Sequence, residues 1–328
     1  MNISSKTLAN LKESYKSEER LLPDIKRHIL RKIEVEESTR RTDVLHPSAM
    51  SDKDWCPRHD YYGIIGAAKS PDTSSPSFAM EMIYDYGNRI HTKYQTWWAE
   101  MEALWGKWQC LTCDGFWYGE APQPSCKYCG STSVAYAEVP LSSESLGIEG
   151  HADGVVWDGP NGWVLVEIKS IGLGSLRFEA PQLNVLYSSG ELTLEQVWRN
   201  INKPFGKHLR QGQIYLYLMR ETFPLLDITE MVFVYEWKPN QAVKTFTVTY
   251  SPEIVDKLLT QAQEVQNALV TQVIPRRPEW AEESGKVCES CDYRGVCYGR
   301  VEPSQPEASV KTKVKRADSK KRRRILGT

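Results

Sequence analysis

Gly150-His-Ala-Asp153-Gly-Val-Val-Trp157, then Asp158-Gly-Pro-Asn-Gly162, then Trp163-Val-Leu-Val-Glu167-Ile-Lys169-Ser170 is the stretch on which the fold turns. Two β-rich runs flank a cluster of turn residues, the pattern of a hairpin. Side chains alternate along a strand, so Trp163, Leu165, Glu167 and Lys169 share one face, and Val164, Val166 and Ile168 share the other. The charged pair ends an otherwise apolar strand and faces Asp153 across the hairpin. Such an arrangement is costly unless it holds a cation and a phosphate.

Working outward, the spacing predicts a long helix from Phe78 to about Trp105. Gly87, His91 and Gln95 recur in it at i, i+4 and i+8, on one face. The glycine one turn before His91 lets another backbone or a metal site come close. Beyond the hairpin, Lys207 to Met219 reads as a helix with His208, Gln211 and Tyr215 on a polar, uncharged face. Between them, Gly172 to about Pro204 is a long connection containing a helix-like Leu192–Ile201, of the kind that forms lids or guides substrate. Met231–Trp237 and Val243–Tyr250 read as strands joined by a turn at Pro239-Asn240. Ser251-Pro252 then opens a helix running to about Thr271. Two N-terminal helices are expected between Ser5 and Thr39, broken near Pro23, with Leu22, Ile25, Ile29 and Ile33 forming a packing face. Ser48 or Ser51 is a plausible N-cap for a short helix, with Cys56 near its end or in the turn after it.

The chain has eight cysteines. Cys110-x-x-Cys113 and Cys126-x-x-Cys129 form two knuckles suited to one tetrahedral zinc, and a ribbon so small has too little core to fold without a metal. A rubredoxin-like iron site uses the same ligands. Cys288, Cys291 and Cys297 make a third group, one thiol short of a tetrahedral set, and Cys56 is the cysteine left over. Metal binding is favoured over disulfides, because six of the eight cysteines fall in Cys-x-x-Cys pairs and no signal peptide is evident.

A length of 328 residues allows one large domain with insertions, or two small ones. No apolar run approaches the roughly 18 residues of a membrane span, so a soluble, cytoplasmic protein is expected. The net charge of −1 hides an uneven layout: Ser309–Thr328 holds nine Lys or Arg against one Asp, leaving 32 basic and 41 acidic residues elsewhere. The bulk charge therefore announces no nucleic-acid partner, and only the tail does.

In order, the chain carries Ser48-x7-Cys56-Pro-Arg, Gly87-x3-His91, Gly150-x2-Asp153, Glu167-x-Lys169, Gln211-x3-Tyr215 and the terminal cysteine triplet. In these motifs it resembles RecB-type nucleases of the PD-(D/E)-x-K superfamily. The likeness is to the branch with an iron–sulfur cluster, that of the fourth CRISPR-associated protein and the AddB nuclease domain. The resemblance spans about Ser48 to Tyr298. It implies that His91, Asp153, Glu167 and the carbonyl of Ile168 bind Mg²⁺ or Mn²⁺. It further implies that Lys169 orients or activates the attacking water, with Gln211 and Tyr215 placing Lys169 and the phosphate. Cys56, Cys288, Cys291 and Cys297 would hold a four-iron four-sulfur cluster as a structural clamp, although thiolates also suit zinc.

The expected fold is α/β, with a mixed central sheet flanked by the His91 and Gln211 helices. The parts would be an N-terminal helical segment (1–47), a nuclease domain in two pieces (48–105 and 135–300), an inserted zinc ribbon (106–134) and a basic disordered tail (301–328). The resemblance implies a DNA exonuclease acting on single-stranded or frayed ends, in a bacterial or phage-infected cell. Replication, recombination or CRISPR-adaptation proteins are the partners it suggests. In the ribbon, Trp117, Tyr118 and Tyr128 are available for base stacking. Two rivals are a DNA-binding or assembly module acting through ribbon and tail, and a zinc-ribbon transcription factor, in which the Glu167-x-Lys169 hairpin has no place.

Overall fold

The computed structural model describes residues 21–39, 41–70, 77–120 and 125–299. The first expected N-terminal helix and the basic tail lie outside these residues. The chain divides into two compact units, Met1–Arg41 with Ser74–Tyr86, and Thr42–Thr73 with Gly87–Thr328.

In the first unit, helix α1 (Leu22–Thr39) begins where Pro23 can occupy the first turn. Its Ile25 is exposed rather than packed. The second unit contains every motif described above. It opens with the short helices α2 (Pro47–Met50) and α3 (Pro57–Ile64). Cys56 lies after the turn that follows α2 and is the N-cap of α3, because Pro57 fits the first helical position, where no amide is needed. Helix α4 (Phe78–Glu100) contributes residues 78–86 to the first unit and 87–100 to the second.

α4 stops before the expected Trp105. Glu102 adopts a left-handed conformation (φ 56°), and strand β1 (Leu104–Cys110) begins two residues later. β1 pairs antiparallel with β2 (Phe116–Glu120), β3 (Val134–Tyr136) and β6 (Gly154–Trp157). The ribbon strand that ends in Cys110 is thereby built into the central sheet. β4 (Val139–Ser143) and β5 (Ile148–Ala152) form a separate two-stranded sheet. The expected run Gly150–Trp157 is therefore broken at Asp153, where the chain passes from one sheet to the other.

β6 and β7 (Trp163–Ile171) form the expected antiparallel hairpin, Val155 opposite Leu165. After helices α5 (Leu173–Glu179), α6 (Pro181–Ser188), α7 (Leu194–Asn200) and α8 (Gly206–Thr222), β8 (Glu230–Trp237) returns parallel to β7. β9 (Ala242–Thr249) closes the edge antiparallel to β8, giving the order β2-β1-β6-β7-β8-β9 with β3 also on β1. The fold is thus mixed α/β, a mixed central sheet flanked by helices. Helix α9 (Pro252–Thr271) follows, then the short α10 (Lys286–Glu289) and α11 (Arg294–Cys297).

β7 is buried on both faces, as its near-continuous apolar run requires. Leu165 and Ile171 join the large core with Ile214, Leu218 and Phe233, while Ile168 packs with Ile90, Tyr94 and Val234 under α4. Gly212 lets α8 settle onto β8: a Cβ there would lie 2.6 Å from Phe233 and 2.7 Å from Met231. The two helices that carry the motifs are thereby pressed against the two strands beside which Asp153, Glu167 and Lys169 stand. Among the described residues, no helix is long and apolar enough to cross a membrane.

Candidate functional site

The Gly87–His91–Gln95 face of α4 lies on the β6–β7 pair. A Cβ on Gly87 would meet Ser170 Oγ at 3.4 Å, so the glycine admits close approach of helix and strand. His91 Nδ1 lies 2.9 Å from Asp153 Oδ1, and Gln95 Nε2 donates to the Asp153 carbonyl at 3.0 Å. The Ile168 amide donates to Asp153 Oδ2 at 2.6 Å. Both carboxylate oxygens are therefore held, one by the helix and one by the neighbouring strand.

Lys169 reaches the other way. Its Nζ donates to Glu167 Oε1 at 2.7 Å and to Gln211 Oε1 at 2.9 Å, and Gln211 Nε2 donates to the Tyr215 hydroxyl at 3.3 Å. Gly150 is fixed by space: a Cβ there would come within 2.9 Å of both the Tyr215 ring and Pro47. The sequence-predicted residues thus form two adjoining networks, His91–Asp153–Ile168 and Glu167–Lys169–Gln211–Tyr215, joined through successive residues of β7. His208 departs from its neighbours. It turns into an aromatic pocket, Nδ1 2.5 Å from the Tyr235 hydroxyl, and burial pushes its pKa well below the ordinary histidine value.

The electrostatics are those of a site short of positive charge. Burial pushes the Glu167 carboxyl up to about 7, against the pull of Lys169. Its Oε2 is buried and has no hydrogen-bond partner. Burial alone would lower the His91 pKa, but the Asp153 hydrogen bond and charge outweigh it and raise the value. Glu138 is the residue that sequence reasoning missed. Its carboxylate is brought beside His91 and Asp153, and burial followed by the Asp153 charge pushes it up to about 7. A single Glu ahead of the alternating Val139-Pro-Leu141 strand carries no spacing signal, so nothing short of the fold points to it.

The ribbon cysteines fit one tetrahedral metal. Cys110 Sγ lies 3.6 Å from Cys129 Sγ and Cys113 Sγ 3.8 Å from Cys126 Sγ, while zinc–sulfur bonds of about 2.3 Å imply tetrahedral edges of about 3.8 Å. The amides of Thr112 and Tyr128 point at Cys110 and Cys126 sulfurs, and the Thr112 amide leads in pulling the Cys110 thiol down to about 6. The aromatic expectation needs one correction. Trp117 is buried beneath the sheet, because β2 alternates and places it opposite Phe116 and Tyr118; Tyr118 and Tyr128 are exposed, as is Phe116.

The remaining four cysteines, Cys56, Cys288, Cys291 and Cys297, line a single cavity with Arg58 and Tyr62. Burial pushes the Cys56 thiol up to about 11. Their sulfurs do not form a group within 4.8 Å of one another, as the ribbon sulfurs do.

No protein-family model matches the chain, and no curated protein matches it. Among solved structures it is similar to the crystal structure of SSO0001, at 13% identity over 84% of this chain and 98% of that one, with a TM-score of 0.37. It is also similar to the alkaline exonuclease LHK-Exo from Laribacter hongkongensis, at 14% identity over 42% of this chain and 57% of that one, TM-score 0.26. The complex of LHK-Exo with dAMP matches at 10% identity over 70% and 89%, TM-score 0.38.

Proposed function

We propose that this chain is a Mg²⁺- or Mn²⁺-dependent nuclease that hydrolyses DNA phosphodiester bonds, acting as an exonuclease on single-stranded or frayed ends. The observation that carries the reading is the meeting of buried Asp153 and Glu167 with the half-buried Lys169, with one Glu167 oxygen unpartnered. Buried, unsatisfied charge is retained where a ligand completes it. Carboxylate oxygens with one imidazole suit Mg²⁺ or Mn²⁺, and His91, Asp153, Glu167 and the Ile168 carbonyl would hold the ion. When bound, such a cation polarises the scissile phosphate and lowers the pKa of a water toward neutrality.

The chain's own groups divide the remaining tasks. The Ile168 amide and His91 fix the Asp153 carboxylate, so its lone pairs are aimed before substrate arrives. Lys169, held between Glu167 and Gln211, presents an ammonium to the water and the phosphate. Tyr215 locks the Gln211 amide so that its oxygen faces the lysine. Zinc would fill the ribbon site, and a four-iron four-sulfur cluster the Cys56–Cys297 cavity, each stabilising the scaffold. The rival reading, a DNA-binding or assembly module, gives no reason to keep an unpaired carboxylate oxygen in the interior.

The test is digestion of end-labelled single-stranded, duplex and circular DNA with Mg²⁺ or Mn²⁺. Wild type should shorten DNA with free ends, and Lys169→Ala should lose about 100-fold or more of that rate. Equal behaviour of the two proteins would end the enzyme reading and leave the assembly module.

A further inference from the structure

We propose that Glu138 is a ligand of the active-site cation, completing with His91 and Asp153 a set that the motif residues alone leave short. The inference rests on the nuclease reading and adds a residue that the resemblance does not include. Ligand atoms of His91, Glu138 and Asp153 all lie within 4.8 Å of one another. One ion with bonds of about 2.0–2.2 Å spans ligands about 3–4 Å apart, so only a small contraction closes the set around it. Glu167 does not belong to this group; its Oε1 is engaged by Lys169 and its Oε2 is buried without a partner. Two carboxylates, Glu138 and Asp153, thus stand with His91 around the position, and the Glu167–Lys169 pair lies beside them.

The backbone explains how Glu138 gets there. It stands between β3 and β4 in a left-handed conformation, φ 56°. Both sides of that turn are tied to one residue of β1: the Lys107 amide donates to the Glu138 carbonyl at 2.9 Å, and the Ala137 amide donates to the Lys107 carbonyl at 2.8 Å. Gln95, which holds the Asp153 carbonyl, also hydrogen-bonds the Glu138 carboxylate. One side chain therefore ties the Asp153 backbone to the Glu138 carboxylate, in the manner of an outer-shell residue of a metal site.

The experiment is a Mn²⁺ titration followed by electron paramagnetic resonance, reading free ion from the aquo signal and the bound ion from its own spectrum, on the protein as isolated with its cysteine sites filled. Glu138→Gln should weaken Mn²⁺ binding about tenfold or more and alter the spectrum of the bound ion, while Asp153→Asn should abolish binding. Circular dichroism in chelator establishes that each variant is folded. If Glu138→Gln is not, Glu138→Asp, which keeps the charge but shortens the reach, carries the test and should also weaken binding and change the spectrum. A Glu138 variant that titrates as wild type does, with Asp153→Asn losing the ion, overturns this inference and leaves the nuclease reading standing. Retention of Mn²⁺ by Asp153→Asn overturns the cation centre itself, and both readings with it.

Discussion

The two sets of four cysteines are built on opposite plans. Cys110, Cys113, Cys126 and Cys129 come from one short stretch of chain and bring their sulfurs within 4.8 Å. Cys56, Cys288, Cys291 and Cys297 come from distant ends of the second unit and line a cavity more loosely. The first set closes a small loop on itself and hangs on β1. The second lines one cavity with residues far apart in the chain, and the protein around it is knitted to match. Tyr293 packs against His59 at 5.1 Å and Tyr62 at 5.9 Å, Lys69 pairs with Asp292 at 3.2 Å, and Arg277 donates to the Cys297 carbonyl at 2.6 Å while covering the Tyr298 ring. Closing a long loop removes more conformational freedom from the unfolded chain than closing a short one. Equal numbers of thiolates should therefore contribute unequally to the stability of the whole.

The largest effect follows from breaking the long clamp. Cys288→Ala should lower the melting midpoint of the protein by about 10 °C or more, or give protein that no longer folds, and should bleach the visible absorbance of an iron–sulfur chromophore. Thermal denaturation and the absorption spectrum of the same preparation check it. A soluble variant with undiminished colour and midpoint would refute the assignment of these four cysteines to one site.

Breaking the short loop should do less. Cys113→Ala is expected to release one equivalent of zinc and to open residues 111–133 to protease, with a midpoint shift of roughly 2–4 °C. β1 keeps its pairing with β6 through Leu104 and Trp105, at the end of the strand away from the cysteines. Metal analysis and limited proteolysis read the result. A shift as large as that of Cys288→Ala would mean that the pairing of β2 and β3 on β1, and not the size of the closed loop, sets the contribution of the ribbon site to stability.

The same contrast between local and distant separates the features that the amino-acid sequence makes legible from those that only folding creates. Glu167 and Lys169 declare themselves through the strand period, Gly87, His91 and Gln95 through the helix period, and the ribbon cysteines through their spacing. Each is a relation within a few residues. Trp105 and Trp108 fit a continuing helix as well as a strand, and pairing of β1 with β6 decides between the two. Trp117 is readable as aromatic but not as buried, since which face of β2 is covered depends on the core beneath it. Glu138 enters the site through one left-handed residue, and such a backbone turn leaves no periodic trace. The convergence of Asp153 with His91 and Ile168 is legible only through the resemblance, because the contacts cross 62 and 15 residues.

The smallest effect belongs to the carboxylate centre, which differs from both cysteine sites in being held by hydrogen bonds rather than by thiolates. Glu167 is pushed up to about 7 by burial, well above the carboxylate's ordinary value of about 4.3. Between those values the native protein keeps a proton on Glu167 that the unfolded chain has released. The native state therefore binds more protons, and in chelator stability falls as pH rises through this window and levels off above it. Other groups titrate in the same range, among them His208 with the opposite sign, because its lowered pKa makes stability rise with pH. Glu167→Gln isolates the one contribution, since the amide oxygen still accepts from Lys169 but has no proton to lose. In chelator the variant should melt within a degree or so of wild type at pH 5 and a few degrees above it at pH 8. The order should reverse when Mn²⁺ is added at pH 8, because wild type then offers an ionised ligand and the variant does not. An equal offset at both pH values would show that Glu167 titrates as an ordinary carboxylate. Burial would then contribute nothing to the pH dependence of the centre.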